Sequence, residues 1–149
     1  MAELALPQYP DSLIKQILRS VKTIAMVGAS ANPARASNGV MRFLQSRGYR
    51  VIPVNPNLAG PTLNGEHVYR KLADIGEPVD MVDVFRNSQA AGAVADEATA
   101  IGAKVLWMQL EVINEAGAAR ARKAGLTVIM NRCPAIEIPR LFADAPPHG

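Results

Sequence analysis

Residues 27–40, VGASANPARASNGV, combine the small residues of a strand-to-helix turn with groups that hold anions. Gly28 permits a tight turn, Ala29 lets a ligand approach the backbone closely, and Ser30 adds a hydroxyl. A helix that starts after such a turn presents free N–H groups at the positive end of its dipole, which favours a bound anion. Arg35 can donate a forked pair of hydrogen bonds to a phosphate, and Ser37 can cap the helix or touch the same ligand. The later glycines of the dinucleotide fingerprint are missing, and no Gly-Lys-Ser/Thr follows as it would in a Walker A loop. The chemistry on offer is phosphate binding. Its plain alternative is a tight turn followed by a solvated arginine.

Elsewhere the sequence offers little machinery for making or breaking bonds. His67 and His148 are far apart and cannot supply the three or four ligands of a metal site, so no metal is expected and His67 reads as a surface loop residue. No G-x-S-x-G elbow or paired acid–base set is present, and no catalytic residue is assigned. Asp80 and Asp83 read as sheet-edge residues bonding loop amides; Glu111 and Glu115 read as a solvated loop and a helix start. Cys133, the single cysteine, cannot form an internal disulfide, which fits a reducing, cytoplasmic compartment. It reads as a small buried side chain, with a crevice thiol able to form mixed disulfides as the alternative.

The elements that must position these groups alternate. Helical spacing over 11–20, with Asp11 or Ser12 as cap, precedes an apolar strand over 22–28. A helix over 37–48 stops at Gly48, and YRVIPVNP is the second strand. The stretch 57–78 is turn-rich, with a short helix over 69–75. Strands at 79–85, 103–110 and 126–130 then alternate with helices at 87–102, capped by Asn87 or Ser88, and at 114–125. A short helix or turn over 135–142 precedes a loose tail, and a short extension precedes the first helix.

Nearly all-apolar strands alternating with helices predict a single α/β domain: a Rossmann-like, doubly wound parallel sheet of about five strands. Such a sheet binds ligands beyond the carboxyl ends of its strands. That places Gly28–Ser30, Asn55–Asn57, Phe85–Asn87 and Met108–Leu110 around one crevice. The formal charge of +3 suits a small polyanion but not a nucleic acid, and no apolar run is long enough to cross a bilayer.

The second strand narrows the ligand. A site for NAD usually places an acid there to bind the adenosine ribose, and VIPVNPN has none. A phosphate on that ribose is therefore permitted, as in NADP or coenzyme A, and the residues alone leave both open.

VGAS with R-x-S, then GYRVIPVNP, VDMVDVFRN, LWMQLEVINEAG and AGLTVIMNRCPAIEIPRL, spanning about residues 12–142, together resemble the small single-domain CoA-binding proteins. That family is similar to the CoA-binding domain of the succinyl-CoA synthetase alpha subunit. The resemblance implies coenzyme A or an acyl-CoA as ligand, with its diphosphate against Gly28, Ala29 and Ser30 and with Arg35 and Ser37 beside it. It implies Asn55, Pro56 and Asn57 near the adenosine, Val84, Phe85 and Arg86 along the nucleotide or pantetheine arm, and Met108 and Gln109 completing the crevice. The chain departs from the family pattern at four places. Gly39 and Asn57 stand where arginine and lysine are common, and Glu111 and Asn131 where glycine and aspartate are. The resemblance does not extend to the second domain that carries phosphohistidine chemistry in the synthetases, so it does not imply ligase activity. The expected role is a non-catalytic sensor, carrier or regulator with no assigned protein partner. An NADP-linked oxidoreductase and an interaction domain with a decayed nucleotide site are the alternatives.

Overall fold

The computed structural model describes residues 8–58, 60–143 and 147. In chain order the elements are α1 (Asp11–Ser20), β1 (Thr23–Val27), α2 (Ala36–Ser46), β2 (Arg50–Val54), β3 (Thr62–Leu63) and β4 (Glu66–His67). A 3-10 turn at Leu72–Asp74 leads to β5 (Met81–Val84), α3 (Ser88–Ala100), β6 (Val105–Met108), α4 (Glu115–Lys123), β7 (Thr127–Ile129) and α5 (Pro134–Phe142). The N-terminal extension before residue 8 and His148 in the tail lie outside the described residues.

β2-β1-β5-β6-β7 is the order of the five-stranded sheet, and every pairing in it is parallel. Strands buried on both faces need apolar residues on both, which explains why these runs lack a polar alternation. Ile24, Met26, Met81, Trp107 and Ile129 pack on one side under α1, α2 and α5. Ala25, Val27, Val82, Val84, Leu106 and Met108 pack on the other under α3 and α4. The predicted architecture is the observed one. Winding runs outward to β2 on one side of β1 and to β5, β6 and β7 on the other, so the direction reverses between β1 and β5.

Register decides which residues reach the crevice. Val54, Val27, Val84 and Met108 lie side by side as the last level row of the sheet. The ladder then continues one residue further: Gly28 N–H donates to Val54 O (2.9 Å), Phe85 N–H to Val27 O (2.8 Å) and Gln109 N–H to Val84 O (3.2 Å).

Two local features differ from expectation. The turn-rich stretch contains a small antiparallel hairpin, β3 with β4, and the helix expected over 69–75 shrinks to the 3-10 turn. Strands of two residues are too short to show a period of two, which is why the pattern did not disclose them. His67 is exposed on β4, with its ring edge against Tyr69 at 4.6 Å between centroids. The second difference is Asp83. Asp80 accepts hydrogen bonds from the backbone of Lys22 (2.9 Å) and Thr23 (3.0 Å), as a sheet-edge residue should. Asp83 does not resemble it: this residue lies in the central strand, fully buried between Met26 and Trp107.

Candidate functional site

A cavity of about 940 Å³ opens beyond the β1 and β5 ends, where the winding reverses. It is lined by Gly28, Ser30, Arg35, Ser37, Asn55, Pro56, Asn57, Phe85 and Arg86 among the expected residues. A second cavity of about 470 Å³ adjoins it, sharing Ala36, Phe85 and Arg86, and is lined by Gln109. Ten of the thirteen expected residues thus meet at two hollows that share part of their lining.

The other three are corrections. Ala29, Val84 and Met108 are fully buried in the core and line neither cavity. Val84 and Met108 belong to the last level row of the sheet, whose side chains pack under α3 and α4. On β5 and β6 the crevice begins one residue later, with Phe85 and Gln109, whereas Val27 and Val54 of the same row on β1 and β2 line the larger cavity.

Anion affinity arises from how the turn is braced. Asn38 is buried, and its side chain donates to Ser30 O at 2.8 Å. Asn55 donates to Ala29 O at 2.9 Å and accepts from the Asn57 N–H at 2.8 Å. Both amide groups of the Asn55 side chain are therefore engaged in shaping the turn. α2 begins at Ala36 with Arg35 as N-cap, and no side chain caps it and no acid stands in its first turn. The first N–H groups of a helix lack intrahelical acceptors, so this uncapped start offers donors to a ligand. α3, close by, is closed by Asn87, which accepts from Ala90 N at 2.8 Å.

Arg70 and Lys71 also line the larger cavity, and the sequence did not single them out. Tyr69 bridges to Val54 as a short extension of the sheet beyond β2, with Tyr69 N–H on Pro53 O (3.0 Å) and Asn55 N–H on Tyr69 O (2.9 Å). That tether delivers the adjacent basic pair to the same edge as Asn57. A basic doublet in a turn-rich stretch was the available signal. The lining then carries four cations, Arg35, Arg70, Lys71 and Arg86, against two acids, Asp74 and Glu97, an excess of +2. Arg70 and Lys71 line the same cavity as Asn57 and bring positive charge to it.

Glu111 lines the smaller cavity with φ of 68°, in the left-handed region. Its N–H donates to Asn131 Oδ1 at 2.7 Å, and its carbonyl accepts from Ser88 Oγ at 3.2 Å. Asn131 is itself left-handed at φ of 59°, a region asparagine tolerates. A glutamate at that angle carries strain that glycine would not, by about 1–2 kcal/mol. Glu111→Gly should therefore stabilise the fold by about 1 kcal/mol after the entropy cost of glycine is subtracted. Urea unfolding checks this; a lower midpoint would remove strain from the account of this residue.

Cys133 is buried in the core at the N-cap of α5 and lines neither cavity. The small-buried-residue reading is the one its position fits. Arg132 stacks over Tyr9, 5.5 Å from the ring centre. Among the described residues no three His, Cys, Asp or Glu side chains cluster as metal ligands, and no helix is long and apolar enough to cross a membrane.

The residues present fit a CoA-sized anion: an uncapped helix start, four cations and a cavity of nucleotide scale lie together, with an adjoining hollow for an arm. Comparison with known proteins points the same way. The chain is 39% identical over 120 residues to the uncharacterized protein YneT of Bacillus subtilis (strain 168), covering 80% of this chain and 87% of that one. A solved structure of a hypothetical protein from Pyrococcus horikoshii OT3 superposes with a TM-score of 0.87 at 36% identity, covering 94% of this chain and 99% of the other. A more distant relative is the alpha subunit of acetate–CoA ligase (ADP-forming) I from Pyrococcus furiosus, 30% identical over 95 residues. That match covers 61% of this chain and only 21% of the subunit. The model of the CoA binding domain family matches residues 22–139, and the chain belongs to that family.

Proposed function

We propose that this protein binds coenzyme A or an acyl-CoA across the two adjoining cavities and acts without catalysis, as a sensor, carrier or regulator. The observation that carries this reading is the uncapped start of α2 facing four cations at the sheet's reversal point. In this reading Arg35 and the first N–H groups of α2 hold the diphosphate. Asn55 keeps the turn open, and Pro56 and Asn57 flank the adenosine. Arg70 and Lys71 meet the ribose 3′-phosphate. Phe85 and Arg86 lead the pantetheine arm toward Gln109.

Calorimetry with CoA, dephospho-CoA and NADP tests the assignment. CoA is expected to bind more tightly than dephospho-CoA, and replacing Arg70 and Lys71 by alanine should erase that difference. Arg35→Ala should weaken CoA binding by about 1–3 kcal/mol, the scale of a hydrogen bond to a charged group. Equal binding of CoA and dephospho-CoA would reject the 3′-phosphate contact. Preferential binding of NADP would move the protein to the oxidoreductase reading.

A further inference from the structure

We propose that the smaller cavity is an acyl-group site selective for uncharged acyl thioesters, with Glu111 as the residue that turns away carboxylate-tipped ones. This rests on the reading that CoA occupies the larger cavity. The two hollows share Ala36, Phe85 and Arg86, so a ligand whose phosphates lie in the larger one can extend its thiol end into the smaller.

Their electrostatics differ. The larger cavity carries an excess of positive charge, whereas the smaller has one cation, the shared Arg86, and one acid, Glu111. Arg86 also faces the phosphate side, which leaves Glu111 as the charge that belongs to the smaller hollow alone. Among the described residues no ion pair engages Glu111. Its backbone is clamped on both sides, by Asn131 and by Ser88, which fixes the point beside this hollow from which the exposed side chain extends. An acyl chain ending in a second carboxylate would bring like charges together in a partly enclosed space.

Gln109 supplies the complementary feature. It lines the same cavity and is 7% exposed, and its amide Oε1 has no hydrogen-bond donor among the described residues. A buried acceptor without a donor is costly and calls for one. A turn of the Gln109 amide toward the hollow lets an N–H of the pantetheine arm meet that need and brings the thioester carbon beside Val112 and the exposed Leu110. The site then favours short, neutral acyl groups.

The experiment measures dissociation constants of CoA, butyryl-CoA and succinyl-CoA for the full chain and for its E111Q variant. For the parent protein succinyl-CoA should bind about tenfold more weakly than butyryl-CoA, the size of one like-charge contact close to the water limit, as suits an exposed Glu111. In the variant the ratio should fall to about twofold, with the steric contribution unchanged. Binding of CoA with equal affinity for the two thioesters overturns the selectivity and leaves the CoA reading standing. A tenfold ratio that persists in E111Q overturns the role of Glu111. Failure of all three compounds to bind overturns the CoA reading, and this proposal with it.

Discussion

Asp83→Asn will abolish most of the stability loss that the parent protein suffers as pH rises from about 5 to about 8. Asp83 is fully buried in the central strand, and among the described residues neither carboxylate oxygen has a hydrogen-bond partner. Burial pushes its carboxyl up from 3.8 to about 8. At pH 7 the folded chain therefore keeps a proton that the unfolded chain has released. The native state binds one more proton than the unfolded state across this window, so stability falls with rising pH by about 1.4 kcal/mol per unit. Three units amount to about 4 kcal/mol. Below the ordinary aspartate range both states are protonated and the slope disappears. Above about 8 both are ionised, and the whole cost remains.

An amide has nearly the shape of the carboxyl and does not ionise. It also donates, and the unpartnered Gln109 Oε1 lies on the same face of the sheet, two residues beyond Trp107, the neighbour of Asp83. Urea midpoints of both proteins at pH 5, 6, 7 and 8 measure the effect. The difference between them should widen with pH, in favour of the variant. Parallel pH profiles would mean that Asp83 is ionised and solvated in the native state.

Asp83 also marks how far the sequence could be read. Its neighbours in VDMVDVF identify a buried strand, but nothing in a linear pattern says that the third strand in the large sheet becomes its centre. Placed at an edge, the same aspartate would bond loop amides, as Asp80 does. The five-stranded sheet and the helices were legible because each is long enough to show its period and is closed by recognisable chemistry, such as Asn87 capping α3. The crevice was legible because winding order dictates where ligands sit. Depth along a strand was not. Val84 and Phe85 are adjacent in sequence, yet register sends one into the core and the other to the cavity. Arg70 and Lys71 were lost for a related reason, since their tether to β2 is a single bridge at Tyr69 rather than a patterned strand.

Gly28→Ala should be the most damaging single-methyl change at the site. Gly28 has φ of 92°, and a Cβ added there would lie 2.3 Å from Phe85 O and 2.9 Å from Phe85 C. The obstacle is backbone that cannot swing away, because the Phe85 N–H is bonded to Val27 O at 2.8 Å. Relief requires prising β1 from β5 at the point where the ligand cavity opens. The first glycine of the turn thus serves the closeness of two strand ends, and its own N–H is already bonded to Val54 O. Left-handed strain of about 1–2 kcal/mol and overpacking of about 1–3 kcal/mol act together, so a loss of about 2–5 kcal/mol is expected. For a chain of this size that lowers the melting temperature by about 10 °C. Gly39→Ala is the matched control: it adds the same methyl on α2, where nothing lies within 4 Å of the new carbon. That change should stabilise by about 0.5–1 kcal/mol through helix propensity. Thermal unfolding of the two variants should shift in opposite directions. A Gly28→Ala protein as stable as its parent would show that the β1 and β5 ends part without cost, and the braced turn would lose its role in shaping the cavity.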